Sequence, residues 1–371
     1  MIPLRLVPAL FVIGLVASCA GRGAITLAPD PAEVGSLEPI LVASSRQRDP
    51  EGPGYGSAMA PGLGFSQMTV SVPPDRAPGT VTFPSNGIAD PRRDFLTVDS
   101  TVIADRAGFI RAVNAAVATR PENQREAFVF VHGFNTNFAE GLYRQAQMRH
   151  DFASPGISVH YAWPSAANVT AYATDRETTL QARDDLEDLL TLLAQTKVTR
   201  IVVAGHSMGA FLVMEALRQK SIRNRPGAFD KIRTVVLMAP DIDVGVFRRQ
   251  ARALAEKDVS IYIFTSTRDR ALRVSAVLRG SGQRLGALPD TSQLAGLPVT
   301  VIDLSGVEGN GDALNHFKVA TSPVMISVLN GMSAYGTGIL TDETRKAGLL
   351  GSGVNVVQGA ATVVLSPFAG Q

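Results

Sequence analysis

The stretch from Thr199 to Leu217 reads Thr-Arg-Ile-Val-Val-Ala-Gly-His-Ser-Met-Gly-Ala-Phe-Leu-Val-Met-Glu-Ala-Leu, and it leaves the fold few options. Ile201, Val202 and Val203 form a short β-branched run that reads as a buried strand. The run stops at Gly205, and an apolar, helix-compatible segment begins directly after Met208. Between them lies Gly205-His206-Ser207-Met208-Gly209, of the form Gly-x-Ser-x-Gly. A strand can pass that abruptly into a helix only through a strained backbone at the tip. Glycines on either side remove the Cβ atoms that would collide there. The helix also directs its first N–H groups at the tip, which suits a developing negative charge. The bare pattern arises by chance about 0.2 times in a chain of this Gly and Ser content, so the flanking strand and helix carry the argument. They make Ser207 the candidate nucleophile.

A serine hydroxyl is a poor nucleophile at neutral pH and needs a base within hydrogen-bond reach. The chain has His132, His150, His160, His206 and His316. Two of them flank glycine turns, His160 lies within a strand pattern, and His150 lies near the end of a helix pattern. Only His316 follows the last strand, in the loop Gly306, Gly309, Asn310, Gly311 leading to Asn315-His316-Phe317. That is where the order Ser…Asp…His places a base. The orienting acid has three candidates. Asp269 follows the second strand after the nucleophile, whereas Asp241 and Asp243 follow the first. Each precedes an expected helix, so each could instead be an N-cap.

Stabilising an oxyanion takes two backbone N–H groups. One belongs to the residue after the nucleophile, here Met208. The other comes from a loop after an earlier strand. Ala127–Val131 is a buried-strand pattern ending in His132-Gly133-Phe134-Asn135, so the N–H of Phe134 is the second candidate. His132 reads as a packing or hydrogen-bonding side chain beside that loop.

Alternating strand and helix patterns across residues 65–332 predict one α/β domain. Its central sheet is mostly parallel, with helices on both faces and an antiparallel N-terminal opening. Strands are expected over Gln67–Val72, Thr80–Phe83 and Phe95–Ile103 before the parallel series begins. The acidic residues Asp184, Asp185, Glu187 and Asp188 fall opposite a Leu186, Leu189, Leu190, Leu193 stripe and read as a solvated helix face. A formal net charge of +2 with no basic block excludes nucleic acid as the natural partner. There is no HExxH, CxxC or phosphate loop, so neither a metal nor an organic cofactor is expected.

The front end differs in kind. Arg5 precedes an unbroken apolar or small run from Leu6 to Ser18, which ends Leu-Val-Ala-Ser-Cys at Cys19, the chain's only cysteine. The run is shorter than a comfortable membrane span and suits a secretion signal. It resembles the bacterial lipobox, which implies a signal peptide over 1–18, cleavage before Cys19 and a lipid on that thiol. An uncleaved anchor, or a signal with a chance cysteine, is the alternative. Ala20 in place of Asp implies, by resemblance to envelope sorting, the periplasmic face of the outer membrane more than the inner. Residues 19–64 are rich in Pro, Gly and Ser and read as a flexible tether with one strand near Ile40–Ala43. Residues 333–371 form a Gly-rich tail, read as disordered or lying on the lipid.

His-Gly-Phe-Asn, Trp-Pro-Ser, Gly-His-Ser-Met-Gly, Ala-Pro-Asp-Ile-Asp, Asp-Arg-Ala-Leu and Asn-His-Phe follow one another in this order. Together, across Met68 to Leu329, they resemble a bacterial α/β-hydrolase family of unknown function whose site is similar to that of serine esterases and lipases. The resemblance implies the fold, Ser207, His316 and an acid, and no particular substrate. The expected function is a membrane-anchored serine hydrolase acting on a small-molecule or lipid ester, carboxylic ester or thioester, through an acyl-enzyme. The alternative is a catalytically silent member of the same fold serving as an envelope binding or assembly protein. The lipobox reading predicts that Cys19→Ser abolishes processing and releases the protein from the membrane fraction. Unchanged maturation and attachment on fractionation would overturn it.

Overall fold

The computed structural model describes residues 22–28, 35–85, 88–224, 229–278, 282–306, 316–322, 355–358 and 361–363. The expected signal segment 1–18, Cys19 and most of the C-terminal tail lie outside them. Among the described residues, eleven strands join in one sheet. They are β1 (Ser36–Arg48), β2 (Tyr55–Val72), β3 (Leu96–Ile103), β4 (Glu126–Val131), β5 (Ile157–Ala162), β6 (Arg200–His206), β7 (Ile232–Met238), β8 (Ser260–Thr265), β9 (Val299–Asp303), β10 (Asn355–Gln358) and β11 (Ala361–Val363). Their order is β11-β10-β9-β8-β7-β6-β4-β5-β1-β2-β3. From β9 across to β1 every neighbouring pair is parallel, and antiparallel strands close both edges. Strands covered on both faces are mostly apolar, and β5, Ile-Ser-Val-His-Tyr-Ala, is buried at every position, Ser158 and His160 included.

The crossovers are α1 (Arg106–Ala118), α2 (Phe138–Asp151), α3 (Tyr172–Ala194), α4 (Met208–Arg223), α5 (Val244–Ala253) and α6 (Arg270–Leu278), with α7 (Lys318–Thr321) after β9. Helix α2 starts with a capping box, in which Asn137 Oδ1 accepts from Glu140 N at 2.9 Å and Glu140 Oε2 accepts from Asn137 N at 3.0 Å. In α3 the stripe Leu186, Leu189, Leu190, Leu193 is buried as its spacing requires. Its acidic face is not uniformly solvated. Glu187 is buried and paired with Arg223 of α4 at 2.6 Å, because α4 packs across that side.

The N-terminal tether expected over 19–64 is corrected by the structure. Most of its described part is strand: the strand expected near Ile40–Ala43 is the middle of β1, which lies between β5 and β2 with all four residues buried. The Pro and Gly residues that hid this fall where the ladder is interrupted. Register runs from Ser44 opposite Gly64 to Arg46 opposite Met59, so Pro61 and Gly62 occupy a bulge that needs no ladder hydrogen bonds. The expected strand Thr80–Phe83 is likewise not one. It runs irregularly, with Phe95 N bonded to Thr82 O at 3.0 Å and Phe83 stacked on Tyr143. In the tail, β10 pairs antiparallel with β9 and β11 with β10, which the glycine content did not suggest.

Three histidines are buried around the top of the sheet: His132, His160 and His206. Burial holds the His160 imidazole down at about 3, with the Arg46 charge adding to the effect. Unfolded, the same ring protonates near 6.5. Between those values unfolding takes up a proton, so stability falls as pH drops through that window. His132 and His206 are lowered for the same leading reason and act with the same sign. Urea titrations from about pH 7 to about pH 4 should show a falling unfolding free energy, and His160→Leu should remove about 1.4 kcal/mol per pH unit of that slope.

Candidate active site

Strand β6 enters the centre of the sheet and turns into α4 at Ser207, whose φ of 53° and ψ of −118° lie outside the regions ordinary L-residues adopt. The surroundings hold it there. Ser207 N donates to Met238 O at 2.9 Å, and Ser207 O accepts from Asp241 N at 3.1 Å. A Cβ on Gly209 would strike the His132 carbonyl, and one on Gly205 would come within 2.7 Å of Ala210 Cα. The two glycines therefore let β6, α4 and the loop after β4 meet at one point. Ser207 is only 6% exposed, at the carboxyl edge of the sheet.

His316 sits beside that turn. Its backbone oxygen lies 3.1 Å from His206 Nε2, and the two imidazoles are 4.6 Å apart between centroids. His206 immediately precedes Ser207, so a residue far along the chain is brought next to the strained turn. Phe317 packs edge-on against the same His206 ring at 4.1 Å. The His316 Nδ1 is 2.7 Å from Asp269 Oδ2, and the Asp269 side chain is fully buried. Asp269 Oδ1 accepts from Leu272 N at 3.0 Å, so one carboxylate both caps the start of α6 and fixes the imidazole.

The other two acids are placed elsewhere. Asp243 is the N-cap of α5 and accepts from Gly245 N and Val246 N. Asp241 is buried among Tyr172, Ser275 and Arg284, with the Ser275 hydroxyl 2.9 Å from Oδ1 and Arg284 Nε 3.3 Å from it. Of the three acidic candidates, only Asp269 is hydrogen-bonded to His316.

The loop His132-Gly133-Phe134-Asn135 lies against Ser207, since a Cβ on Gly133 would come within 3.2 Å of the Ser207 Cβ. Met208 is the first residue of α4, and its N–H has no carbonyl one turn back within the helix. Both nominated donors thus stand at the same turn. His132 works as a brace: its ring stacks on Trp163 at 5.1 Å, Nε2 is 3.0 Å from Trp163 O, and Trp163 Nε1 donates to His132 O at 2.7 Å.

Two arginines that the motifs did not point to hold the next carbonyls of this loop. Arg22 Nη2 donates to Asn135 O at 3.0 Å, and Arg46 Nη2 donates to Thr136 O at 2.9 Å. Asn135 has a φ of 55°, so its conformation needs such support. Arg46 is almost wholly buried, and burial brings its pKa down to about 10 although Asp175 and Glu140 oppose the shift. The one signal available was an arginine directly after the apolar or small run Ile40–Ser45. Arg22 carried none. Among the described residues no group of three His, Cys, Asp or Glu side chains could hold a metal.

The family model that matches the chain, over residues 110–332, is described as "Alpha/beta hydrolase of unknown function (DUF900)". The chain belongs to that family. The alpha/beta hydrolase match covers about three fifths of the sequence and includes Phe134, Ser207, Asp269 and His316. No curated protein matches. Solved structures similar to this alpha/beta hydrolase include an extracellular alpha/beta-hydrolase from a Paenibacillus species, at 14% identity, 55% of this chain and 96% of that one, with a TM-score of 0.33. Lipase B of Aspergillus fumigatus aligns at 15% identity over 62% and 63% of the two chains with a TM-score of 0.34. An inhibited esterase B from Lactobacillus rhamnosis aligns at 12% identity over 62% and 82% with a TM-score of 0.38. At those scores the neighbours carry no functional argument, which rests instead on the residues above.

The placement of Asp241 yields its own test. Asp241→Ala leaves the Arg284 guanidinium buried without its carboxylate and should cost about 3–5 kcal/mol in urea unfolding. Asp243→Ala, a lost helix cap, should cost about 1 kcal/mol.

Proposed function

We propose that this alpha/beta hydrolase is a serine hydrolase that cleaves an ester-type bond, carboxylic ester or thioester, through an acyl-enzyme. The observation that carries the reading is the 2.7 Å contact of His316 with the buried Asp269 immediately beside the strained Ser207 turn. In the first half-reaction His316 takes the Ser207 proton through Nε2 while the Ser207 oxygen bonds to the substrate carbonyl carbon. Asp269 holds the Nδ1–H and stabilises the imidazolium that forms. The oxyanion is received by the N–H groups of Met208 and Phe134. His316 then gives its proton to the leaving group, the C–O or C–S bond breaks, and Ser207 is left acylated. Water, deprotonated by His316, reverses the sequence and frees the acid.

Strain at Ser207 fits the same role. A non-glycine residue held at positive φ costs about 1–3 kcal/mol and persists only where the surroundings enforce it, as the Gly205 and Gly209 contacts do here. The proposed location is the bacterial envelope, lipid-anchored through Cys19 on the periplasmic side.

A fluorophosphonate probe should label the native protein and not Ser207→Ala. Absence of Ser207-dependent labelling would overturn the hydrolase in favour of a silent binding protein. With p-nitrophenyl esters of increasing chain length, Asp269→Asn should lower kcat by about 10^3–10^4-fold. Asp243→Asn should leave it within a few-fold. If the loss falls on Asp243→Asn instead, Asp269 is only a cap.

A further inference from the structure

We propose that the candidate site opens onto the membrane that holds the protein, and that its substrates are acyl esters of bilayer lipids. The inference rests on the serine hydrolase and lipobox readings and names the substrate class of the same site.

Residues 22–28 are not a spacer. Arg22 bonds Asn135 through both its side-chain amide oxygen and its carbonyl, and reaches Glu140 Oε2 at 2.7 Å. Gly23 O accepts from Asn137 Nδ2 at 2.7 Å, and Gly23 N donates to Glu140 Oε1 at 3.3 Å. One helical turn further along α2, Thr26 N donates to the Tyr143 hydroxyl at 3.2 Å, and Thr26 O accepts from Thr97 N at 2.8 Å. The segment thus starts at the N-terminal end of α2 and runs along that helix. The N-terminal end of α2 stands at the carboxyl edge of the sheet, directly after the loop that carries Phe134.

Cys19 is three residues before Arg22. At full extension three residues span about 10 Å. A lipid on Cys19 therefore fixes the bilayer within about 10 Å of Arg22, which bonds Asn135, the residue after Phe134. The sequence pattern had allowed a flexible spacer of some forty residues. The structure leaves only this short leash, at the same edge as Ser207. An enzyme held this way meets esters in the membrane before any in solution.

The test uses the full-length lipidated protein in vesicles of phosphatidylethanolamine and phosphatidylglycerol, with the vesicle phospholipid as one substrate and p-nitrophenyl butyrate as the other. A flexible Gly/Ser insertion of about thirty residues between Gly21 and Arg22 preserves the anchor and the fold. By the fall of effective concentration with linker length, it should lower release of fatty acid from the vesicles by about tenfold or more. Butyrate turnover and flotation with the vesicles should be unchanged. Equal fatty-acid release by the native and lengthened proteins overturns the inference. So does cleavage of butyrate with none of the vesicle lipid, an outcome that leaves the hydrolase reading standing. No turnover of either substrate, together with no fluorophosphonate labelling, overturns the hydrolase reading and this inference with it.

Discussion

The approach of three backbones at Gly209 sets everything around the site. The loop after β4 comes so close to the first turn of α4 that the His132 carbonyl fills the space a side chain on Gly209 would need. Any larger residue would separate the first turn of α4 from the loop after β4. The strained backbone of Ser207 follows from the same crowding. The strand has no room for a wider turn, because Ser207 N and O are both tied, to Met238 O and Asp241 N. Rigid, dense packing of this kind stores strain that a looser turn would relax.

Around that point the molecule is braced from several directions, each by chemistry suited to burial. His132 and Trp163 exchange hydrogen bonds with each other's carbonyls and stack, so a polar pair is satisfied without solvent. Arg46 extends from β1 under the loop, with Nη1 on Gly56 O and Nη2 on Thr136 O. A buried guanidinium is costly unless it meets acceptors in place of water, and two carbonyls together with the nearby Asp175 and Glu140 charges supply them. Asp241 and Arg284 form a second buried pair, linking the loop after β7 to the segment before β9. Asp241 is thereby taken up by Arg284, and of the three acidic candidates Asp269 is the one hydrogen-bonded to the imidazole.

The N-terminal third gives this alpha/beta hydrolase its individual character. Strands β1 to β3 extend the sheet beyond β5, and the strap at 22–28 lies along α2. Both elements end on the loop that carries Phe134, through Arg46 and Arg22. The part of the chain nearest the proposed lipid is therefore mechanically continuous with the part proposed to receive the oxyanion. In the proposed lipid-anchored form, a few hydrogen bonds of Arg22 join the anchored end of the chain to the loop beside Ser207.

What the sequence determined by itself was local. The strand-turn-helix around Ser207, each strand and helix of the series from β4 to β9, and the candidacy of Met208 and Phe134 follow from short local patterns, and His316 from the order of those patterns along the chain. Backbone sterics and hydrophobic periodicity act at that range. The strand expected near Ile40–Ala43 is the middle of β1, although the Pro and Gly residues of the β2 bulge disguised its partner. Only the tertiary structure decided among Asp241, Asp243 and Asp269. All three follow strands, precede helices and look alike in a string of letters. Their separation is a matter of long-range packing: His316 Nδ1 lies 2.7 Å from Asp269 Oδ2, while Asp241 is taken by Arg284 and Ser275. The same holds for Arg22 and Arg46. A hydrogen bond spanning 113 residues of chain has no local signature, because its partners are chosen by how the layers pack.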